Sequence, residues 1–129
     1  MTIEGTFQIT LHPQPDLDDE ADGVKLARYR IDKVFAGGLV GESRVHMLAA
    51  STPVEGSAGY VALERVQGTL AGRRGGFVLQ HSGSMQGGSQ ALTITVVPGS
   101  GTGDLVGLSG TFHITIRDGQ HSYRFDYAL

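Results

Sequence analysis

The chain has 129 residues, a formal net charge of -3, and 40% apolar and 18% charged residues. This composition favours one globular domain over residues 1–129 and excludes a disordered chain, while the acidic balance argues against nucleic acid or an anionic membrane as a partner. The chain has no cysteine, which excludes disulfides, thiolate zinc sites and a cysteine nucleophile. The first residues lack the pattern of a secretory signal and no apolar run is long enough to span a membrane, so we expect a cytoplasmic protein.

Short apolar segments separated by glycine dominate the chain, which contains 20 glycines. This punctuation marks many tight turns and favours an all-β protein over a helical bundle or an α/β fold. Alternating and β-branched residues predict strands at Thr2–Leu11, Val24–Ala36, Gly41–Ser51, Ser57–Leu70, Gly75–Ser82, Ala91–Val97, Thr111–Arg117 and Ser122–Ala128. The second of these segments has a weak β preference, and a helix is the alternative there.

Two longer connections separate the predicted strands. The segment His12–Gly23 contains an acidic run and is expected to be a solvated loop, long enough to serve as a mobile lid. It does not match a calcium-binding loop, because alanines occupy the turn-glycine and final-glutamate positions. The segment Pro98–Leu105 is expected to be irregular, with room for one helical turn, and it lacks the lysine and following helix of a phosphate-binding loop.

The number and order of the strands predict how the sheet is completed. Sequential antiparallel strands joined by short turns leave two open edges unless the sheet closes on itself. We therefore predict a closed eight-stranded, mostly antiparallel barrel, whose interior is either packed or holds one small ligand. A two-sheet β-sandwich is the alternative.

Three segments carry a resemblance to a known family. They are GYVALERVQGTL at residues 59–70, GRRGGFVLQH at residues 72–81 and VPGSGTGDL at residues 97–105. Together and in this order they resemble a bacterial domain-of-unknown-function family with a barrel similar to those of allene oxide cyclase and dirigent proteins. The resemblance implies a closed barrel that commonly associates, so a homo-oligomer (a dimer or trimer) is expected. By analogy with allene oxide cyclase, it also implies cofactor-independent chemistry in a hydrophobic lumen.

The candidate catalytic residues are Glu64 and His81, on the predicted fourth and fifth strands. A turn centred on Gly72 and Arg73 places Glu64 directly opposite His81 on an otherwise apolar face, and a register shift of two residues keeps both on that face. Burial raises the pKa of a carboxyl group and a nearby imidazolium lowers it, so such a pair can act as an acid or base near neutral pH. A structural ion pair, or a face directed to solvent, is the alternative.

The candidate substrate-binding residues share the face of Glu64 or lie on the last strand. They are Tyr60, Val66, Phe77, Leu79 and Tyr127, and the tyrosine hydroxyls are possible hydrogen-bond donors to a ligand. The alternation does not decide which face lines the lumen, because both faces carry Val or Leu. With the opposite parity, Arg65 and Gln80 would line the cavity. With the preferred parity, the face of Arg65 is a candidate subunit interface.

The histidines do not predict a metal site. The chain has five of them, but neither a His-x-His nor a His-Glu-x-x-His spacing occurs. His113 alternates with Phe112 and Ile114, so we expect it to point outward. No nucleotide, flavin or thiolate signature is present either, and no metal or cofactor is therefore predicted.

Two main functional hypotheses follow from these patterns. The first is a barrel enzyme that binds a small apolar molecule and catalyses a proton transfer of the isomerase, cyclase or lyase type, with Glu64 as the base and His81 as its partner. The second is a non-catalytic barrel that binds a hydrophobic ligand, in which Glu64 and His81 only satisfy each other. A barrel filled by its own side chains and acting through its outer surface is a third possibility.

Overall fold

The computed structural model describes residues 1–129, which form eight antiparallel strands closed into a barrel. The strands are β1 (Thr2–Ala21), β2 (Val24–Gly37), β3 (Leu39–Ser51), β4 (Ala58–Leu70), β5 (Arg73–Gln86), β6 (Ser89–Val96), β7 (Ser109–Arg117) and β8 (Gln120–Ala128). Each strand pairs with its neighbours in sequence, and β1 also pairs with β8. The predicted barrel is confirmed, and the sandwich is not favoured. The second segment is a strand and not a helix.

The predicted loop at His12–Gly23 is wrong, because β1 continues to Ala21 and forms a hairpin with β2. The register shifts between Gln14 and Asp19, where Pro15 interrupts the ladder because it has no N–H to donate. Asp22 and Gly23 form the turn with positive φ values of 54° and 80°. The acidic segment is therefore an exposed hairpin and not a lid-like loop.

The turn between β4 and β5 differs by one residue from the prediction. Leu70 pairs with Arg73, so Ala71 and Gly72 form the two-residue loop, with φ values of 48° and 86°. Positive φ at both central residues is typical of a type I′ turn, whose twist matches that of the flanking strands. The register is consequently shifted by two residues from the one predicted for a turn at Gly72 and Arg73.

One half of the barrel interior is filled by apolar side chains. Aromatic rings dominate this core, and the Phe77 and Phe125 rings stack with their centroids 5.8 Å apart. The connection between β6 and β7 contains a short 3₁₀ turn and adds Leu105 and Leu108 to the core. Burying each such side chain contributes about 1.5–3 kcal/mol. This half of the barrel therefore supplies most of the apolar stabilisation of the fold.

The barrel wall is not equally paired around its circumference. Between β1 and β8 the ladder runs from Thr2 to Phe7, whereas between β6 and β7 Thr95 and Thr111 form the one paired position.

The structure contains no helix that is long and apolar enough to cross a membrane.

Candidate functional site

The other half of the interior encloses a cavity of about 430 Å³. Its wall is largely apolar and includes Ile9, Ile31, Met47, Met85, Leu92 and Ile114. Lys25, Ser51 and Gln90 also line it, which places its mouth at the end of the barrel that carries the β1–β2, β3–β4 and β5–β6 connections. The volume lies within the range of about 300–1,000 Å³ that is usual for small-molecule sites.

A group of polar side chains meets around Glu64, which is completely buried. Nε2 of His81 lies 2.7 Å from Oε1 of Glu64, and the Lys33 ammonium donates to the same oxygen over 3.2 Å. The Ser43 hydroxyl donates to the other carboxylate oxygen, Oε2, over 2.6 Å. Both oxygens of the carboxylate are therefore hydrogen-bonded, as a buried charge requires.

Four consecutive strands position these side chains. Lys33 on β2 pairs directly with Ser43 on β3. Glu64 on β4 lies one inward-facing position nearer the mouth, and His81 on β5 lies one further position nearer. His81 stands opposite Ala62, two residues from Glu64, so the contact is diagonal. The small alanine side chain leaves space for the imidazole to reach the carboxylate.

The surroundings of Glu64 keep it ionised. Burial alone would raise the pKa of this carboxyl group, but the hydrogen bond from His81, the charge of Lys33 and the hydrogen bond from Ser43 outweigh it and hold the pKa below its ordinary value. The ammonium of Lys33 balances the negative charge. Burial, and after it the negative charge of Glu64, raises the pKa of the nearby Tyr60 hydroxyl.

His81 and Lys33 line the cavity, whereas Glu64 does not. An ionised carboxylate only accepts hydrogen bonds, so Nε2 of His81 carries the hydrogen of the contact with Glu64. The other ring nitrogen, Nδ1, has no partner in the chain. Only one side-chain polar atom of the structure is both fully buried and without a partner, and that atom is Nε of Arg30. Since Nδ1 of His81 has no partner, it is not fully buried. Nδ1 is therefore an accessible ring nitrogen without a partner, on a residue that lines the cavity.

Aromatic rings surround this polar group. The Lys33 ammonium lies 4.7 Å from the centroid of the Phe7 ring, a favourable cation–π contact. The Tyr60 ring lies 6.3 Å from the His81 ring and also lines the cavity. Gly83 makes this position of Tyr60 possible, because a Cβ atom at residue 83 would collide with the tyrosine ring.

The structure brings some of the predicted site residues together and separates others. Glu64, His81 and Tyr60 cluster at the cavity, with Glu64 beneath its surface. The other four are buried in the packed half of the barrel and do not line the cavity: Val66, Phe77, Leu79 and Tyr127. Strand alternation correctly gives the face of each residue, but it does not give its depth along the barrel axis.

The sequence interpretation missed Lys33 and Ser43. Lys33 alternates with Ile31 and Phe35 on β2, and a lysine between two inward apolar residues was the available signal.

The preferred assignment of strand faces is correct, because Arg65 and Gln80 are exposed on the outer face. His113 also points outward, as expected, where it pairs with Asp126 at 3.2 Å. No group of three His, Asp or Glu side chains is arranged to hold a metal ion.

A second concave surface lies on the outer face of β2 to β5 and has a volume of about 740 Å³. Although it is larger than the lumen, its three arginines are engaged in ion pairs. Arg28 pairs with Asp16, while Arg30 and Arg44 both pair with Asp32. Exposed ion pairs of this kind are weak and well solvated, and none of them resembles the buried group around Glu64. The lumen is therefore the candidate site.

Comparisons with known proteins lead to one family. The family model described as "Protein of unknown function (DUF3224)" matches residues 3–127. A crystal structure of a protein with unknown function from the DUF3224 family, from Shewanella oneidensis MR-1, is 46% identical, with a TM-score of 0.96, over 100% of this chain and 96% of that chain. No curated protein matches the chain. The chain therefore belongs to the DUF3224 family, in agreement with the resemblance carried by its three sequence segments.

Proposed function

We propose that this protein binds a small, largely apolar molecule in its lumen and transfers a proton on that molecule without a cofactor. His81 exchanges the proton, and Glu64 holds the imidazole in place. The observation that carries this proposal is the 2.7 Å contact between Nε2 of His81 and the buried carboxylate, at the wall of an apolar cavity. A carboxylate that accepts from one ring nitrogen fixes the tautomer and leaves the other nitrogen free to act as a base.

The roles in this proposal are the reverse of those expected from the sequence. Glu64 was expected to be the base, but it is enclosed beneath the cavity surface and all its contacts are to donors of the chain. When His81 accepts a proton, the resulting imidazolium lies beside the carboxylate, where a water-poor surrounding strengthens the attraction. Reactions of the isomerase, cyclase or lyase type need such a base, which can also return the proton.

Binding and turnover can be separated by experiment. Met47 and Met85 line the cavity, so the NMR signals of their methyl groups are expected to report which compounds of a small apolar library enter the lumen. Bound compounds are then followed for isomerisation, cyclisation or elimination. We expect His81→Asn to keep binding and to lower turnover by about 10²–10⁴-fold, the usual contribution of a general base.

His113→Asn is the matched control, because His113 forms a similar pair with Asp126 on the outer surface. It should change neither binding nor turnover. Undiminished turnover of a true substrate by the folded His81→Asn variant would show that the proposed role of His81 is wrong.

A non-catalytic binding barrel is the second candidate. It is favoured by the complete hydrogen bonding of the Glu64 carboxylate, which is also what a purely structural buried ion pair requires. This candidate predicts that compounds enter the lumen and that none is converted by the wild-type protein.

The partners and location expected from the sequence stay predictions. Exposed Leu48, Val61 and Leu63 on the outer face of β3 and β4 support a homo-oligomer, either a dimer or a trimer. Sedimentation analysis would determine the number of subunits. A cytoplasmic location is likewise still only an expectation from the sequence.

A further inference from the structure

We propose that the substrate is a neutral carbonyl compound with an acidic C–H bond next to the carbonyl group, and that Lys33 binds the oxygen as an enolate forms. This inference rests on the proposed function, since it needs His81 as the base. It gives a chemical role to Lys33, which the proposal above uses only as a counter-charge.

Lys33 and His81 act at the same end of the cavity. Their nitrogens Nζ and Nε2 lie 3.2 and 2.7 Å from one atom, Oε1 of Glu64, and both residues line the cavity. A lysine ammonium has three N–H donors, and within the chain Glu64 accepts the only hydrogen bond that Lys33 donates. Lys33 thus has N–H donors without a hydrogen-bond partner in the chain, at the same end of the cavity as His81.

The charge balance of this end of the cavity favours a neutral guest. The ammonium of Lys33 is offset by the carboxylate of Glu64, so a neutral molecule leaves the buried charges matched. A carboxylate guest would add a second negative charge close to Glu64, and an ammonium guest would meet Lys33. Uncompensated charges of either sign are costly in a largely apolar cavity.

The proposed step conserves atoms and charge. Nδ1 of His81 takes the proton from the carbon next to the carbonyl group. The electrons of the broken C–H bond form a C=C bond, and the π electrons of the carbonyl group move to its oxygen. The new imidazolium is then beside the carboxylate of Glu64, and the new oxyanion accepts an N–H of Lys33. Return of the proton to the same carbon, or to a conjugated one, completes an exchange or an isomerisation without a co-reactant.

Two probes of similar shape test the substrate class: the ketone 4-phenylbutan-2-one and the carboxylate 4-phenylbutanoate. We expect the ketone to bind more tightly than the carboxylate. We also expect wild-type protein in D₂O to accelerate loss of the proton NMR signals next to the ketone carbonyl. Lys33→Met should keep ketone binding and slow this exchange about 100-fold, the usual cost of removing one donor to an oxyanion. His113→Asn should exchange at the wild-type rate.

The outcomes separate this inference from the proposed function. Exchange that is lost in His81→Asn but unchanged in Lys33→Met would overturn the role of Lys33 and support that of His81. Tighter binding of 4-phenylbutanoate than of the ketone, or ketone binding without exchange in the wild type, would overturn the substrate class. In either case the turnover comparison of wild type with His81→Asn still decides the proposed function on other compounds.

A measurement on the wild-type protein covers the case in which Lys33→Met does not fold. A phenol imitates the planar, oxygen-bearing enolate, and 4-nitrophenol changes colour when it ionises. At a pH where the free compound is mainly protonated, we expect it to bind as the phenolate, with its proton on His81 and its oxygen at Lys33. A bound compound with the spectrum of the neutral phenol would overturn the inference.

Discussion

Lys33 on β2 and His81 on β5 approach one atom, Oε1 of Glu64, at 3.2 and 2.7 Å. The shared oxygen connects side chains from strands that are not adjacent in the barrel. It therefore links the stability of this part of the interior with the chemistry available at the cavity wall, and both can be measured.

The buried ion pair should show strong energetic coupling. Glu64→Gln removes the counter-charge of Lys33, and leaving one partner of a buried pair uncompensated costs about 3–5 kcal/mol in the free energy of unfolding. The double variant Lys33→Met with Glu64→Gln removes both charges and should lose much less than the sum of the single variants. Urea denaturation measures all three. Glu42→Gln, at an exposed position of β3, is the control. Additive losses would contradict the coupling.

The lowered pKa of Glu64 predicts how stability depends on pH. Its ordinary value is 4.5, and the native pKa lies below this. The stabilisation is therefore fully present above the unfolded-state pKa, and it is lost as the pH falls through the native one. Urea denaturation between neutral and acidic pH should show a steeper loss for the wild type than for Glu64→Gln. Asp126 also has a lowered pKa, mainly through its hydrogen bond with Thr2, but it is common to both proteins. Parallel pH profiles would contradict the prediction.

The hydroxyl of Tyr123 should stabilise the packed half of the barrel. It accepts from the Leu39 N–H over 2.9 Å and donates to the Ala36 carbonyl oxygen over 2.9 Å. Tyr123→Phe leaves the buried Leu39 N–H without a partner, which costs about 1–3 kcal/mol. Thermal unfolding measures this loss. Tyr127→Phe on the same strand is the matched control, because the Tyr127 hydroxyl makes no hydrogen bond within the chain, and it should unfold near the wild-type temperature. Equal melting temperatures for all three proteins would refute this role.

A bulky side chain on the cavity wall should block the lumen. Ala49 lines the cavity, whereas its neighbour Leu48 points to the outer face. Ala49→Phe should lower the affinity for lumen ligands at least about tenfold, the equivalent of 1.4 kcal/mol. Leu48→Phe should leave it unchanged. Calorimetric titration with a compound from the NMR screen compares the two variants. Unaltered binding by a folded Ala49→Phe variant would place the ligand outside the lumen.

The sequence predicted the barrel and the common face of Glu64 and His81 because β4 and β5 alternate regularly and end in a tight turn. It did not predict the length of β1, since polar residues beyond Leu11 occupy both faces of that hairpin and Pro15 interrupts the ladder. Nor did it predict which residues reach the cavity. Val66 and Leu79 share the face of Glu64, but the stagger of the barrel places them in the core.

The long-range arrangement around Glu64 could not be derived from local patterns for the same reason. Lys33 lies 31 residues before its carboxylate partner. Their contact depends on the combined register of three strands, and a shift of one residue in any of them would turn one of the side chains to the outer face.

The single paired position between β6 and β7 makes this seam the least hydrogen-bonded part of the barrel wall. On the mouth side of Thr95 and Thr111, Leu92 and Ile114 line the cavity from strands that form no further ladder pairs with each other. Side-chain packing, and not a backbone ladder, holds the wall together there. Local opening of the barrel should therefore begin at this seam, where the fewest backbone hydrogen bonds have to break.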